Sequence, residues 1–191
     1  TVVAKLVDLV TGRCLATRAT LNPQIRFGDD VVSRIQYGQS PERLEELHRA
    51  VVACLNDLID GLCRHAGADA SAIYEASIVG NTTMNHIFLR LPIEQLGRAP
   101  YRAWSVQAHD RSPVDLGLRM NPAGNVHCVE NIAGFVGADT TAVALAVDMD
   151  RIEDRVLVVD IGTNGEIVLG TRTQLFAASC AAGPALEGAR I

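Results

Sequence analysis

The spacing of apolar and polar positions predicts a mixed α/β chain. In residues 2–9 β-branched residues dominate, Thr11-Gly12 permits a tight turn, and residues 13–20 read as the returning strand, so a hairpin opens the chain. Residues 21–39 read as loop, with Val31, Val32 and Ile35 on a short helix before Gly38. Ser40 is placed to cap a long helix with Pro41 at its first position. Leu44, Leu47, Val51, Leu55, Leu58, Ile59 and Leu62 follow at helical spacing, and Gly67 stops it.

Beyond it, residues 76–79 form a short apolar strand that runs through Gly80-Asn81-Thr82-Thr83 into a helix over 84–91. Residues 92–124 carry four prolines and no sustained period, and read as an irregular surface insertion with short helices or strands. A strand over 126–129 and a small, Ala-rich helix over 139–147 come next; the small side chains suit close packing between lobes. Residues 156–159 are a β-branched strand ending in Asp160-Ile161-Gly162-Thr163-Asn164-Gly165. A second strand over 166–169, a turn at Gly170-Thr171 and a third strand over 174–179 complete a second hairpin.

The two hairpins match in strand order, turn chemistry and length, with Thr1 in the place of Thr163. On that reading a strand ending in an Asp-x-Gly-like loop is expected before Thr1. The glycine-rich segment from Ala181 to Ile191 reads as a turn entering a further helix, so the chain is expected to be a piece of a longer protein.

Composition narrows the function. With 191 residues, 48% of them hydrophobic, the chain is long enough for one or two compact domains. A net charge of −5 gives no electrostatic reason to expect nucleic acid, and 4% aromatics provide no base-stacking surface. No apolar run approaches the roughly 20 residues that span a bilayer, and no signal peptide is visible, so a cytoplasmic location with no membrane partner is expected. Five cysteines without a CxxC pair argue against zinc or an iron–sulfur cluster in this chain, and are expected to be reduced and mostly buried. The five histidines lack ligand spacing and read as surface or core residues.

The loop at 160–165 carries the chemistry. A strand that ends in Asp-x-Gly-Thr presents a carboxylate, then backbone N–H groups that approach a phosphate closely because glycine has no Cβ. Thr163 and Asn164 add short donors beside Gly162 and Gly165, and Asp160 suits Mg²⁺ held through water, so Mg-ATP is the expected ligand. Alone, such a motif is also an ordinary hairpin turn. Its context differs: an apolar strand precedes it, a strand follows it, and a second glycine-rich turn at Gly183 to Gly188 is available to close over the same ligand. Neither GxGxxG nor GxxxxGK[ST] occurs. Asn81, Thr82 and Thr83 read either as γ-phosphate contacts from the other lobe or as a helix cap.

At these residues the chain resembles the acetate and sugar kinase, heat-shock chaperone and actin superfamily of ribonuclease-H-like, two-lobed ATPases. Gly137-Ala138-Asp139-Thr140-Thr141-Ala142 resembles that superfamily's crossing helix, which places Asp139 near the metal. Four longer motifs resemble one branch, the reductive activators of corrinoid proteins. They begin at Val79-Gly80-Asn81-Thr82-Thr83, Ile132-Ala133-Gly134-Phe135, Asp160-Ile161-Gly162-Thr163 and Ala181-Ala182-Gly183-Pro184. Asn22-Pro23-Gln24 and the segment from Phe27 to Ile35 resemble it too.

The resemblance implies a first ribonuclease-H-like lobe over 1–147, with the insertion at about 92–124, and the start of a second over 148–191. It implies an ATPase that drives reduction of Co(II) to Co(I) in a corrinoid, methyl-transfer protein, with Asp160 and Asp139 as catalytic and Mg²⁺-organising residues. Gly162, Thr163, Asn164, Gly165, Gly183, Asn81, Thr82 and Thr83 are the implied nucleotide contacts. The electron would come from a [2Fe-2S] domain outside this chain, and the chain alone is expected to be inactive. Whether the whole protein forms a homodimer stays open. The alternatives are a sugar or small-molecule kinase, with Asp29 and Asp30 as conspicuous carboxylates in the first lobe, or a non-enzymatic nucleotide-dependent binding module.

Overall fold

The computed structural model describes residues 1–162 and 164–181. Strands β1 (Val2–Val7) and β2 (Cys14–Thr20) form the opening antiparallel hairpin, with Val2 opposite Thr20. Its turn is closed by the Asp8 carboxylate, which accepts from the N–H groups of Val10 and Thr11, while Gly12 takes the left-handed φ of 70° that favours glycine.

Helices α1 (Val31–Tyr37) and α2 (Pro41–Ala66) follow. The Ser40 hydroxyl accepts from the Arg43 N–H, Pro41 occupies the first turn, and Gly67 ends α2 at φ 65°. A cap of this kind is worth about 1 kcal/mol. Leu47, Val51, Leu58 and Leu62 form the buried stripe of α2, which packs under the hairpin and against α3 (Thr82–Leu89).

A second sheet runs in the order β3 (Glu75–Ile78), β5 (Asn125–Cys128), β4 (His109–Arg111), with β3 and β5 parallel and β4 antiparallel to β5. Helix α3 follows β3, the single turn α4 (Pro113–Leu116) follows β4, and α5 (Ala138–Ala146) follows β5. The third sheet is a meander of β6 (Val156–Ile161), β7 (Asn164–Thr171) and β8 (Gln174–Ala181). Among the described residues no helix is long and apolar enough to cross a membrane.

The structure corrects several expectations. Residues 92–124 are not all surface: Ile93 and Leu96 complete one core cluster with Ile35, Leu47 and Ile87, and Leu116, Leu118 and Met120 enter the other beside Val126, while residues 97–102 stay exposed. Long-range packing places these side chains, so local periodicity does not reveal them. Helix α3 begins at Thr82 rather than 84, because the Asn81 side chain accepts from the Met84 N–H and starts it. The second turn lies at Arg172-Thr173, since Thr171 already pairs with Gln174. Gly170 serves close approach instead, as a Cβ there would meet the Gln174 carbonyl oxygen at 2.1 Å. Cys54, Cys63 and Cys128 are buried, but Cys14 and Cys180 are exposed; all five are free. Burial pushes the Cys128 thiol up to about 12.

Candidate functional site

Strands β3 and β5 run parallel, so their carboxyl ends lie side by side, and each feeds a helix: β3 into α3 through Gly80-Asn81, β5 into α5 through residues 129–137. Open α/β sheets bind ligands at such an edge, where helix N-termini favour negative charge. The two connections are locked together. The Asp139 N–H donates to the Gly80 carbonyl at 3.3 Å, and the Thr82 hydroxyl donates to the Ala133 carbonyl at 2.6 Å. A Cβ on Gly137 would lie 2.5 Å from the Asn81 Cα and 2.7 Å from the Gly80 oxygen, so only glycine permits this approach. Asn131 Oδ1 accepts from the Ala138 N–H at 3.2 Å and faces the Asn85 amide at 3.5 Å, tying α5 to α3.

The third sheet meets α5 through β7. Asp160 is exposed near the end of β6, directly across from Glu166 on β7; Glu166 in turn lies across from Ser179 on β8, whose hydroxyl donates to it at 3.1 Å. Burial pushes the Asp139 carboxyl above its usual range, against the pull of the Thr140 N–H, and the charge of Asp160 adds to the rise. Burial raises Glu166 too, and Asp139 and Asp160 push it further against the Ser179 hydrogen bond. Three carboxylates from one sheet and one helix thus share a field.

The segment 160–165, expected as a loop, is mostly strand. Asp160 and Ile161 end β6, and Asn164 and Gly165 begin β7, with Ile161 opposite Gly165. Cross-strand pairing pulls the turn in to its tip, where the Gly162 N–H donates to the Asn164 carbonyl at 3.2 Å. Thr163 and Gly183 lie outside the described residues. Asp139 is half-buried in the first turn of α5. Asn81 is the N-cap of α3, whereas the Thr82 and Thr83 side chains are buried at 1% exposure, the Thr82 hydroxyl spent on Ala133.

Sequence reasoning missed Glu166. The available signal was alternation: along β7, Glu166 shares the face of the buried Val168 and Gly170, and a charged residue in that row calls for a reason. Among the described residues no group of three or more His, Cys, Asp or Glu side chains is arranged to ligate a metal directly. Carboxylates that repel one another across a gap suit a hard divalent cation that keeps its water. Asp30, by contrast, caps α1 through the Ser33 N–H and hydroxyl, a structural task.

A family model described as the RACo middle region matches residues 1–152, and a second, described as the C-terminal domain of RACo, the ASKHA domain, matches residues 154–191. The chain belongs to the RACo family. Over 189 residues, 98% of this chain, it is 42% identical to a corrinoid activation enzyme, RamQ, of Eubacterium limosum. It also superposes on a solved structure of a reductive activator for corrinoid, iron–sulfur protein with a TM-score of 0.92 and 40% identity over 97% of its length. The chain spans 32% of the first relative and 30% of the second. The two RACo models meet between residues 152 and 154, on the segment joining α5 to β6, so the three carboxylates come from both matched regions.

Proposed function

We propose that the full-length protein is an ATP-dependent reductive activator that returns an inactive Co(II) corrinoid protein to Co(I). The observation that carries this reading is the pairing of Asp160 with Glu166 across β6 and β7, on a sheet that meets α5, whose first turn carries Asp139 and bonds to the β3–α3 connection through Gly80. The relatives' names support the substrate: one is a corrinoid activation enzyme and the other a reductive activator for a corrinoid, iron–sulfur protein. In this reading residues 1–147 are the first ribonuclease-H-like lobe and 148–191 open the second. The parallel β3–β5 pair with its helices and the β6–β8 meander support that division.

Asp160 and Asp139 organise Mg²⁺ through water, and Glu166 joins them as a third carboxylate. Bound Mg²⁺ supplies charge neutralisation for the β- and γ-phosphate oxygens. Gly162, Thr163, Asn164, Gly165 and Gly183 are the nucleotide contacts of this reading, and the Gly162 N–H, which the Asn164 carbonyl accepts in the ligand-free chain, exchanges that partner for a phosphate oxygen. Asn81 and the first turn of α3 approach from the other lobe; Thr82 and Thr83 act there through their backbone N–H groups, since their side chains are buried. Hydrolysis changes the charge between the lobes, and their arrangement shifts with it. A [2Fe-2S] domain elsewhere in the full-length protein donates the single electron that Co(II) accepts.

The test is to give the full-length protein Mg-ATP with either a Co(II) corrinoid protein or a panel of sugars. Co(I) formation that depends on ATP is expected. Phosphorylation of a sugar without any effect on the corrinoid assigns the protein to the kinases instead.

A further inference from the structure

Helix α5 starts on a residue that has no side chain to cap it. Its N-cap is Gly137, which makes no side-chain hydrogen bond, although Ser, Thr, Asp or Asn there would satisfy one of the first N–H groups. None of these fits, because a Cβ on Gly137 would collide with the Asn81 Cα and the Gly80 carbonyl oxygen. The close approach of the two connections therefore leaves the first turn of α5 to be capped from elsewhere.

Asn131 supplies that cap from six positions upstream. Its Oδ1 accepts from the Ala138 N–H at 3.2 Å, while the Gly80 carbonyl accepts from the Asp139 N–H and Asp139 Oδ1 accepts from the Thr140 N–H at 2.9 Å. Asn131 is itself anchored. Its N–H donates to the Val106 carbonyl at 3.0 Å, and Asn85 Nδ2, which donates to the Val129 carbonyl at 3.1 Å, faces its Oδ1 at 3.5 Å. The Asn85 N–H in turn donates to the Asn81 carbonyl at 3.0 Å. A continuous chain of contacts thus runs from Asn81, at the start of α3, through Asn85 and Asn131 to the turn that carries Asp139. Asn85, Asn131 and Ala138 are buried within this chain, and burial only deepens where further chain packs on it.

The two amides have opposite tasks. Asn85 is a donor: two acceptors face its Nδ2, and its Oδ1 has no partner among the described residues. Asn131 is an acceptor, so an aspartate keeps its bonds and an alanine keeps neither. We propose that Asn131 is a positioning residue for the cation site. Its side-chain oxygen replaces the missing N-cap of α5 and fixes the Asp139 carboxylate relative to Asn81 on the other connection. Outer partners of this kind change metal affinity by about 10- to 100-fold when they are lost.

The inference rests on the proposed function, and the experiment separates the two. ADP stands in for ATP because it is not turned over. Calorimetry on the full-length protein gives ADP affinity with and without Mg²⁺, and amide exchange in the ligand-free protein follows residues 138–141. The variants are Asn131→Ala, Asn131→Asp and, as a destabilised control, Leu62→Ala in the buried stripe of α2. In Asn131→Ala the gain in ADP affinity that Mg²⁺ confers is expected to fall at least about tenfold, with faster exchange at Ala138. Asn131→Asp and Leu62→Ala are expected to keep that gain within about twofold of wild type. A gain within about twofold of wild type in Asn131→Ala, or an equal loss in Leu62→Ala or Asn131→Asp, overturns the positioning role and leaves the function intact. If Asn131→Ala does not fold, Asn131→Gln, which keeps the amide but displaces its oxygen by one methylene, is read in the same way. Wild-type protein whose ADP affinity is indifferent to Mg²⁺ overturns the cation site and the positioning role together.

Discussion

Asp160 faces Glu166 directly across the β6–β7 ladder, and the Ser179 hydroxyl holds Glu166 from the next strand at 3.1 Å. Two carboxylates opposite each other destabilise a sheet unless something else requires them. Here Asp139 at the start of α5 adds a third negative group, and both Asp139 and Glu166 resist ionisation. The arrangement makes sense for a site completed by a cation and a polyphosphate.

Replacing Glu166 by Gln keeps shape and the Ser179 contact while removing the charge. ATP turnover is expected to fall on the order of a hundredfold, the scale of losing one preorganised electrostatic contact. The ligand-free protein is expected to be at least as stable as wild type at neutral pH. Turnover within about twofold of wild type removes Glu166 from the site.

Gly137→Ala puts a methyl group against the Asn81 Cα and the Gly80 carbonyl. Backbone on both sides leaves little room to yield, so chemical denaturation should show a loss of about 1–3 kcal/mol and ATP turnover should fall with it. A stability change below about 0.5 kcal/mol, the level of a neutral surface substitution, contradicts the close packing of the two connections.

Leu96 is fully buried although it lies in a stretch that local pattern marks as surface. Leu96→Ala is expected to cost about 2–5 kcal/mol, as core truncations do. A surface-like loss of under about 0.5 kcal/mol in a denaturant titration would place residues 92–97 outside the core.

His48 and His86 are buried, and burial lowers the pKa of each below the ordinary 6.5. The folded state therefore favours the neutral rings. Their contribution is fully present above pH 6.5 and is lost as pH falls through the lowered folded values. Melting temperature should drop as pH is taken from 7.5 towards 5, and the drop should be shallower in His48→Gln and His86→Gln. An unchanged slope in both variants contradicts this assignment.

Much of the architecture was legible where local chemistry decides it. Ser40, Pro41 and Gly67 mark both ends of α2, Thr11-Gly12 marks the first turn, and the β-branched run at 156–159 marks β6. The rest depends on distant partners. His109–Arg111 become a strand only by pairing with β5, and Gly170 is a glycine because β8 crosses close to it rather than because the chain turns there. Asp139 and Asp160 stand out in their motifs as candidates, but the burial of Thr82 and Thr83 and the placement of Glu166 opposite Asp160 exist only once the second and third sheets are assembled.

One time course tests the proposed nucleotide-driven electron transfer to cobalt. The cobalt spectrum of a Co(II) corrinoid protein is followed after mixing with reduced full-length protein, with Mg-ATP, without nucleotide, and with an Asp160→Ala variant plus Mg-ATP. Co(I) is expected only for wild type with Mg-ATP. Co(I) appearing at the same rate without nucleotide, or with the Asp160→Ala variant, contradicts it.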